Sequence, residues 1–231
     1  AASAPVHPVQ GYEALLGLPF ADQRTRLRWE TQARTALAQI RRKLGSEAEA
    51  STQLSTALRQ LNKLIGYPAL GVQERSARLV ERGKLLFFLG DTEQGAEDFR
   101  QARALTPDRA EAYAEPMLFV VNYGYYELAL EIFRAALPRD EVRDSLKLYF
   151  WLRELALRQG LPQDPQVLSY LENFRGDTWQ GKLARHAQGK LSFDDLLRGA
   201  TDSGEQAEAY FYEALRRWRS DPKGGQQLMR K

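Results

Sequence analysis

Apolar residues recur every three or four positions along most of this 231-residue chain, which is the spacing of helices with one buried face. The first clear stretch predicts a helix whose apolar face carries Trp29, Ala33, Leu37, Ile40 and Leu44. Asp22 is the predicted N-cap of this helix and Gly45 is its predicted stop. The same spacing continues almost to the end of the chain, so we expect an all-α fold.

A second helix is predicted directly after Gly45, with an apolar face made of Leu54, Leu58, Leu61 and Ile65. Ser46 and Glu49 have the spacing of a capping box at its start, and Gly66 is its predicted end. Because the joint is short, we expect the two helices to form an antiparallel hairpin within residues 12–70. Residues 1–11 are predicted to be an extended tail, since small residues and two prolines disfavour a helix there.

From residue 76 onward the pattern repeats with a period of 34 residues. The recurring pairs are Gly90 and Gly124, Phe99 and Phe133, and Ala102 and Ala136. A period of this length is typical of helix–turn–helix units that bury their apolar faces by stacking. The sequence predicts that Gly83 lets two helices approach closely and that the glycine after each first helix forms a turn.

These positions resemble the tetratricopeptide repeat (TPR), whose pattern is W-x2-L-G-x2-Y followed by A-x3-F, A and P. The best copy, residues 76–109, keeps Gly83, Gly90, Asp91, Phe99, Ala102 and Pro107. It departs from the pattern at Leu79, Arg82, Leu86 and Gly95. The next copy keeps its turn glycine and its aromatic residue, but it carries Pro116 in the first helix, where a kink is expected.

The resemblance implies a TPR-like right-handed superhelical solenoid of helix-turn-helix repeats, on which the N-terminal helical hairpin packs. The predicted repeats are 76–109, 110–143, 144–176 and an incomplete 206–231, with an irregular helical insert over 177–205. One domain is favoured over two, and the joint Gly66-Tyr67-Pro68 is the only boundary that the sequence indicates.

The run from residue 145 to 225 is also similar to NlpI-type TPR lipoproteins of the bacterial outer membrane. The similarity lies in the segments "SLKLYFWLRELA", "GKLSFDDLLRGATD" and "EAYFYEAL", and in the helix at Trp179-Gln180. This resemblance implies an adaptor on the periplasmic face of the envelope, where it gathers peptidoglycan hydrolases and a protease. We expect contact with the membrane only through a lipid anchor preceding Ala1. No catalytic residue carries over.

The composition offers little material for catalysis. The chain has no cysteine, which excludes disulfides, thiolate metal sites and a thiol nucleophile, and its only histidines are His7 and His186. Neither the motifs for phosphate and dinucleotide binding nor those of zinc and serine hydrolases occur. We therefore expect no enzyme activity, cofactor or metal, and we interpret His186 as a packed structural residue.

The net charge is only +3, from 33 basic and 30 acidic residues, so no nucleic-acid partner is expected. The densest basic run comprises Arg24, Arg26, Arg28, Arg34, Arg41, Arg42 and Lys43. A solvated helix face is favoured over a patch for an anionic partner.

The TPR resemblance also implies which residues face the concave groove of the solenoid. The candidate partner-binding residues are Lys84, Phe87, Phe88, Leu118, Val121, Asn122, Phe150, Glu154, Arg158, Phe211, Leu215 and Trp218. A surface of apolar residues with a few charges suits a peptide or a helix. The alternative is that the N-terminal hairpin or a C-terminal helix fills the groove.

Two functions remain open at this point. The first is a non-enzymatic adaptor or scaffold that binds protein partners in the bacterial envelope. The second is a cytosolic TPR regulatory or co-chaperone module that binds a peptide, to which Lys84, Arg158 and Arg219 would contribute positive charge. An apolar end around Tyr210, Ala214 and Leu228 is compatible with a homodimer.

Overall fold

The computed structural model describes residues 8–139, 142, 146–172, 174, 177–217 and 220–230. Over these residues the chain forms thirteen helices and no strand, so the predicted all-α fold is confirmed. The helices are α1 (Pro8–Leu16), α2 (Gln23–Lys43), α3 (Glu47–Ile65), α4 (Val72–Leu89), α5 (Thr92–Leu105), α6 (Glu111–Asn122), α7 (Tyr126–Ala136), α8 (Leu146–Arg158), α9 (Pro165–Glu172), α10 (Trp179–Ala187), α11 (Phe193–Arg198), α12 (Ser203–Arg217) and α13 (Pro222–Leu228).

The chain divides into two compact units, the first ending at Phe119 and the second starting at Val120. The division therefore falls inside α6, which continues through Pro116. It does not fall at Gly66-Tyr67-Pro68, because α3 and α4 on either side of that joint pack against each other.

The N-terminal segment is more helical than its prolines suggest. Helix α1 begins at Pro8, so the predicted extended tail is wrong for residues 8–11, while residues 1–7 lie outside the described part of the chain. A proline is tolerated at the first helical position because the N–H group it lacks would have no partner there. Val9 is buried, and α1 packs against α2.

Helices α2 and α3 form the predicted hairpin, with one predicted cap confirmed and one wrong. The Asp22 carboxylate accepts a hydrogen bond from the Thr25 backbone N–H at 2.8 Å, as expected for an N-cap. Gly45 ends α2 with a φ of 80°. Ser46 makes no side-chain bond to the start of α3, so the predicted capping box does not form.

The buried face of α2 differs from the predicted apolar stripe. Ala33 and Leu37 are buried, but Trp29 is 44% exposed and Leu44 is 61% exposed. Polar residues take their places, because each finds a partner inside the hairpin. Thr31 donates to the Leu27 carbonyl at 2.7 Å, and the Glu30 carboxylate accepts from Arg26 and Gln60.

Helices α4 and α5 pack closely because two glycines face each other. A Cβ atom built on Gly83 would lie 2.6 Å from the Phe99 ring and 2.9 Å from the Gly95 carbonyl oxygen. A Cβ atom on Gly95 would lie 2.6 Å from the Phe87 ring. The predicted close approach at Gly83 is therefore confirmed, and Gly95 makes room for an aromatic ring.

Buried hydroxyl groups join the start of α4 to the end of α5, at the end of this hairpin that lies opposite its turn. The Ser76 Oγ donates to the Ala102 carbonyl at 3.0 Å and lies 2.8 Å from the Thr106 Oγ1. At the other end Gly90 adopts a φ of 91°, which L side chains rarely reach.

The positions that recur after 34 residues play the same local roles in both copies. Gly124 has a φ of 83°, which matches the left-handed turn at Gly90. Phe133 and Ala136 are buried, as Phe99 and Ala102 are. In the second unit the Phe133 ring packs edge-on against Tyr170 of α9, with 5.4 Å between the ring centroids. The turn glycine, the buried aromatic residue and the buried alanine therefore recur with the sequence period.

Helices α10, α11 and α13 each pack against α12 in the second unit. Thr178, Ser192 and Asp221 each cap a helix by accepting a bond from the backbone three residues later. The Trp179 indole N–H donates to Glu208 of α12 at 2.8 Å. The predicted insert over 177–205 thus contains α10, α11 and the start of α12.

Candidate binding clefts

Several predicted groove residues belong to the core instead. Phe87 is only 8% exposed and stacks on Phe99, with 5.5 Å between the ring centroids. Phe150 is 7% exposed and stacks on Tyr212 of α12 at 4.0 Å. Val121 and Glu154 are also buried. Helical spacing placed these side chains on the right helices, but it could not show how deeply each one lies.

The remaining predicted groove residues retain some accessible surface, except for one that is not among the residues the structure describes. Lys84, Phe88 and Leu215 are half-buried. The exposed members are Leu118, Asn122, Arg158 and Phe211. Trp218 lies outside the described residues.

The N-terminal hairpin covers part of the surface around Phe88. The Arg42 guanidinium of α2 lies 5.6 Å from the centre of the Phe88 ring, and its Nη2 donates to the Phe88 carbonyl at 3.3 Å. Phe88 also packs against the buried residues of the α2–α3 hairpin. This contact agrees with the alternative in which the N-terminal hairpin fills the groove, at least at Phe88 near the C-terminal end of α4.

A cleft of about 210 Å³ opens between α4 and α6 in the first unit. We call it the α4–α6 cleft; its lining residues are Gln73, Ser76, Ala77, Val80, Thr106, Arg109, Glu111, Ala112 and Glu115. Ala77 and Val80 lie on α4 and Glu111 lies on α6, which are the first helices of the predicted repeats 76–109 and 110–143. The cleft therefore lies between the first helices of the two best-matching repeats.

Charged groups border this cleft and are largely paired with each other. The Lys84 Nζ lies 2.7 Å from a Glu115 carboxylate oxygen, which ties α4 to α6. The Arg109 Nε lies 3.4 Å from a Glu111 oxygen. Burial raises the pKa of nearby Glu81 despite the adjacent Arg78 and Lys84. An apolar floor with a balanced polar rim can hold a peptide backbone without selecting for strong charge.

A second cleft, of about 460 Å³, lies between α8 and α12 in the second unit. We call it the α8–α12 cleft; its lining residues are Arg153, Glu154, Leu157, Leu215, Arg216 and Ser220. Sequence reasoning selected Glu154 and Leu215 but missed Arg153 and Arg216. Arg153 stands four residues before Leu157, so helical spacing could have placed the two side chains on one face.

A buried carboxylate organises the charges behind the α8–α12 cleft. Glu213 is 0% exposed, and its oxygens accept from Arg216 Nε at 2.6 Å and from Arg217 Nε at 2.5 Å. Burial alone would raise the pKa of Glu213, but the bonds from Arg216 and Arg217 outweigh it and hold that pKa at about 2. Glu213 is therefore ionised at neutral pH.

His186 is buried and packs against the Glu213 carboxylate. This agrees with the prediction that His186 is a packed structural residue. Its Nε2 lies 3.1 Å from a Glu213 oxygen, and its Nδ1 lies 2.9 Å from the Leu191 carbonyl. A Glu213 oxygen and the Leu191 carbonyl are both hydrogen-bond acceptors. His186 thus joins α10 to α12.

The lowered pKa of Glu213 predicts acid sensitivity of the second unit. Because this pKa is about 2 in the folded chain and has an ordinary value of 4.5, the stabilisation is complete above pH 4.5 and is lost as pH falls towards 2. Urea unfolding at a series of pH values, followed by circular dichroism, measures the slope. Glu213→Gln should flatten it, whereas the exposed Glu127→Gln should leave it as in the wild type. Equal slopes for all three proteins would contradict the assignment.

Four of the seven basic residues in the run on α2 pair with carboxylates in the described part of the chain. The salt-bridge partners are Glu74 for Arg24, Glu30 for Arg26, Glu13 and Glu49 for Arg41, and Glu47 for Arg42. Arg34 donates to the Gln53 side chain at 2.9 Å. These pairs agree with the solvated helix face and give no support to a patch for an anionic partner.

Over the described residues the protein is all-helical, neighbouring helices pack against each other, and a cleft is present in each unit. No model of a known protein family matches the sequence. In the part of the chain that the structure describes, none of the helices has the length and apolar character needed to cross a bilayer. The same residues contain no group of three or more histidines, aspartates or glutamates arranged to hold a metal ion.

Proposed function

We propose that this protein is a non-enzymatic scaffold with TPR-like repeats that binds extended peptide segments of its protein partners. The observation that carries the proposal is the α4–α6 cleft, which lies between the first helices of the two best-matching repeats. It combines buried apolar residues such as Val80 and Ala112 with exposed polar groups at its edge. Such a surface provides contact area and hydrogen-bonding groups for a peptide.

The first side of the cleft is rigid, which favours binding. Helix α4 is held against α5 by the contact between Gly83 and Gly95 and by the hydroxyl bonds of Ser76. The Arg82 guanidinium adds two bonds of 2.7 Å to the Asp98 carboxylate of α5 and one to the Asn62 side chain of α3. A surface ordered before the partner arrives loses less conformational entropy when it binds.

The cellular location that we propose is the periplasmic face of the bacterial envelope, with attachment to the outer membrane through a lipid anchor. The resemblance of residues 145–225 to NlpI-type lipoproteins supports it. There the protein would organise envelope enzymes or an envelope assembly. The alternative is a cytosolic TPR regulatory or co-chaperone module, in which the same cleft would serve a different set of peptides.

Blocking the α4–α6 cleft should weaken binding of peptides selected from a random library on the wild-type protein. Ala77 is exposed and lines the cleft, so Ala77→Trp fills the space with little effect on folding. We expect the selected peptides to bind this variant at least about tenfold more weakly. Isothermal titration calorimetry measures the change.

The matched control is Ala104→Trp, which adds the same side chain at an exposed position of α5. This variant should bind like the wild type. The proposal fails if the two variants bind the selected peptides equally well, or if the library yields no peptide that binds the wild type.

A further inference from the structure

The α8–α12 cleft differs from the α4–α6 cleft in its charge. Two arginines, Arg153 and Arg216, line it together with the apolar side chains of Leu157 and Leu215. We propose that this cleft binds an acidic peptide segment, with a glutamate or aspartate side chain between the two arginines and an apolar neighbour on the two leucines. This inference rests on the proposed peptide-binding function and adds the chemical class of one partner.

The carboxylates around the cleft are already neutralised, so its cations are in excess. Glu154 is buried and pairs with Arg158 at 3.1 Å. Glu213 is buried and pairs with both Arg216 and Arg217. Within the described part of the chain, Arg153 makes no ion pair. Because Glu154 pairs with Arg158, and Glu213 with Arg216 and Arg217, the charge of Arg153 in the lining is not balanced by either carboxylate and is available to a ligand.

Arg216 is held in place with one side still available. Its Nε and Nη2 donate to the two Glu213 oxygens at 2.6 and 2.8 Å, which leaves Nη1 unused by that carboxylate. The side chain is 50% exposed. An arginine whose position is already fixed loses less entropy when it binds a carboxylate, and its planar donors match carboxylate geometry.

The cleft suits a peptide better than a polyanion such as a nucleic acid. Leu157 and Leu215 supply apolar contact that a phosphate backbone does not use. A single acidic side chain next to an apolar one fits this alternation of charge and apolar surface.

The test uses the full chain and a short synthetic peptide in which glutamate alternates with leucine, with both ends blocked so that no terminal carboxylate contributes. Fluorescence anisotropy measures its affinity. Arg153→Gln should weaken binding by about tenfold, because it removes a charge-assisted hydrogen bond. The matched control is Arg198→Gln, at an arginine of the same unit whose side chain is 75% exposed, and it should bind like the wild type.

Reversing the charge at Arg153 distinguishes a loss of peptide binding from a loss of folding, because the reversed variant should gain affinity for a different peptide. Arg153→Glu should lose the glutamate peptide and gain affinity for the same peptide with lysine in place of glutamate. Equal binding of glutamate and glutamine peptides to the wild type would overturn the acidic specificity and leave the peptide-binding function intact. Competition by inorganic phosphate as strong as that by the peptide would also overturn it. Failure of the random library to yield any peptide that binds the wild type, by contrast, would count against the proposed function itself.

Discussion

Arg82→Met should lower the free energy of unfolding by about 3–5 kcal/mol, because it leaves a buried carboxylate without its partner. Asp98 is 0% exposed and receives two bonds of 2.7 Å from the Arg82 guanidinium. The same two bonds raise the pKa of Arg82. Urea unfolding followed by circular dichroism measures the loss.

Two further proteins separate this cause from a general effect of removing an arginine. Arg59→Met removes an exposed arginine of α3 that bonds only the Thr56 hydroxyl in the described structure, and it should change stability by less than about 0.5 kcal/mol. The double variant Arg82→Met with Asp98→Leu should recover most of the loss, since an apolar pair can replace a buried ion pair. A single Arg82→Met variant as stable as Arg59→Met would show that Asp98 does not depend on this bond.

Gly83→Ala should destabilise the α4–α5 hairpin by about 2–3 kcal/mol, although alanine is the better helix former. The added methyl group would meet the Gly95 carbonyl oxygen at 2.9 Å and the Phe99 ring at 2.6 Å. The backbone oxygen cannot move unless the two helices separate. The same urea experiment measures the change.

The matched control is the same substitution at Gly11, a glycine inside α1 with open space around its Cβ position. Gly11→Ala should be neutral or stabilising by up to about 1 kcal/mol, because alanine lowers the entropy cost of the helix. If Gly83→Ala proved as harmless as Gly11→Ala, the close contact between α4 and α5 would be refuted.

The sequence predicted the features that depend on local rules. The helices and the turns at Gly90 and Gly124 follow from apolar spacing and from backbone conformations that favour glycine. The 34-residue recurrence of Phe99 as Phe133 correctly identified two core positions. These features require only information from residues close together in the chain.

The features that were missed depend on partners distant in the sequence. Trp29 was assigned to the core because it is apolar, but Glu30 takes the buried position with Gln60, a residue 30 positions away. Arg82 departs from the leucine of the TPR pattern, and the structure explains this by the ion pair with Asp98. A single sequence does not show which polar residues will find such partners.

The binding residues were only partly predictable for a related reason. Repeat position indicates which helix faces a groove, but the depth of a side chain depends on its neighbours. Phe87 is buried by stacking on Phe99, and Phe150 is buried by stacking on Tyr212. The smaller Ala77 stays exposed. The arginines of the α8–α12 cleft lie outside the repeat positions assigned to the groove, so their role depends on the coordinates.

Amide hydrogen exchange with and without a library-selected peptide tests the peptide-binding account most directly. Exchange is slowed where a ligand orders or covers the backbone. The account predicts slowed exchange in residues 73–84 of α4 and 111–115 of α6, with α5 unchanged. Slowing confined to α5, or absent from both α4 and α6 at saturating peptide, would contradict the assignment of the α4–α6 cleft as the binding surface.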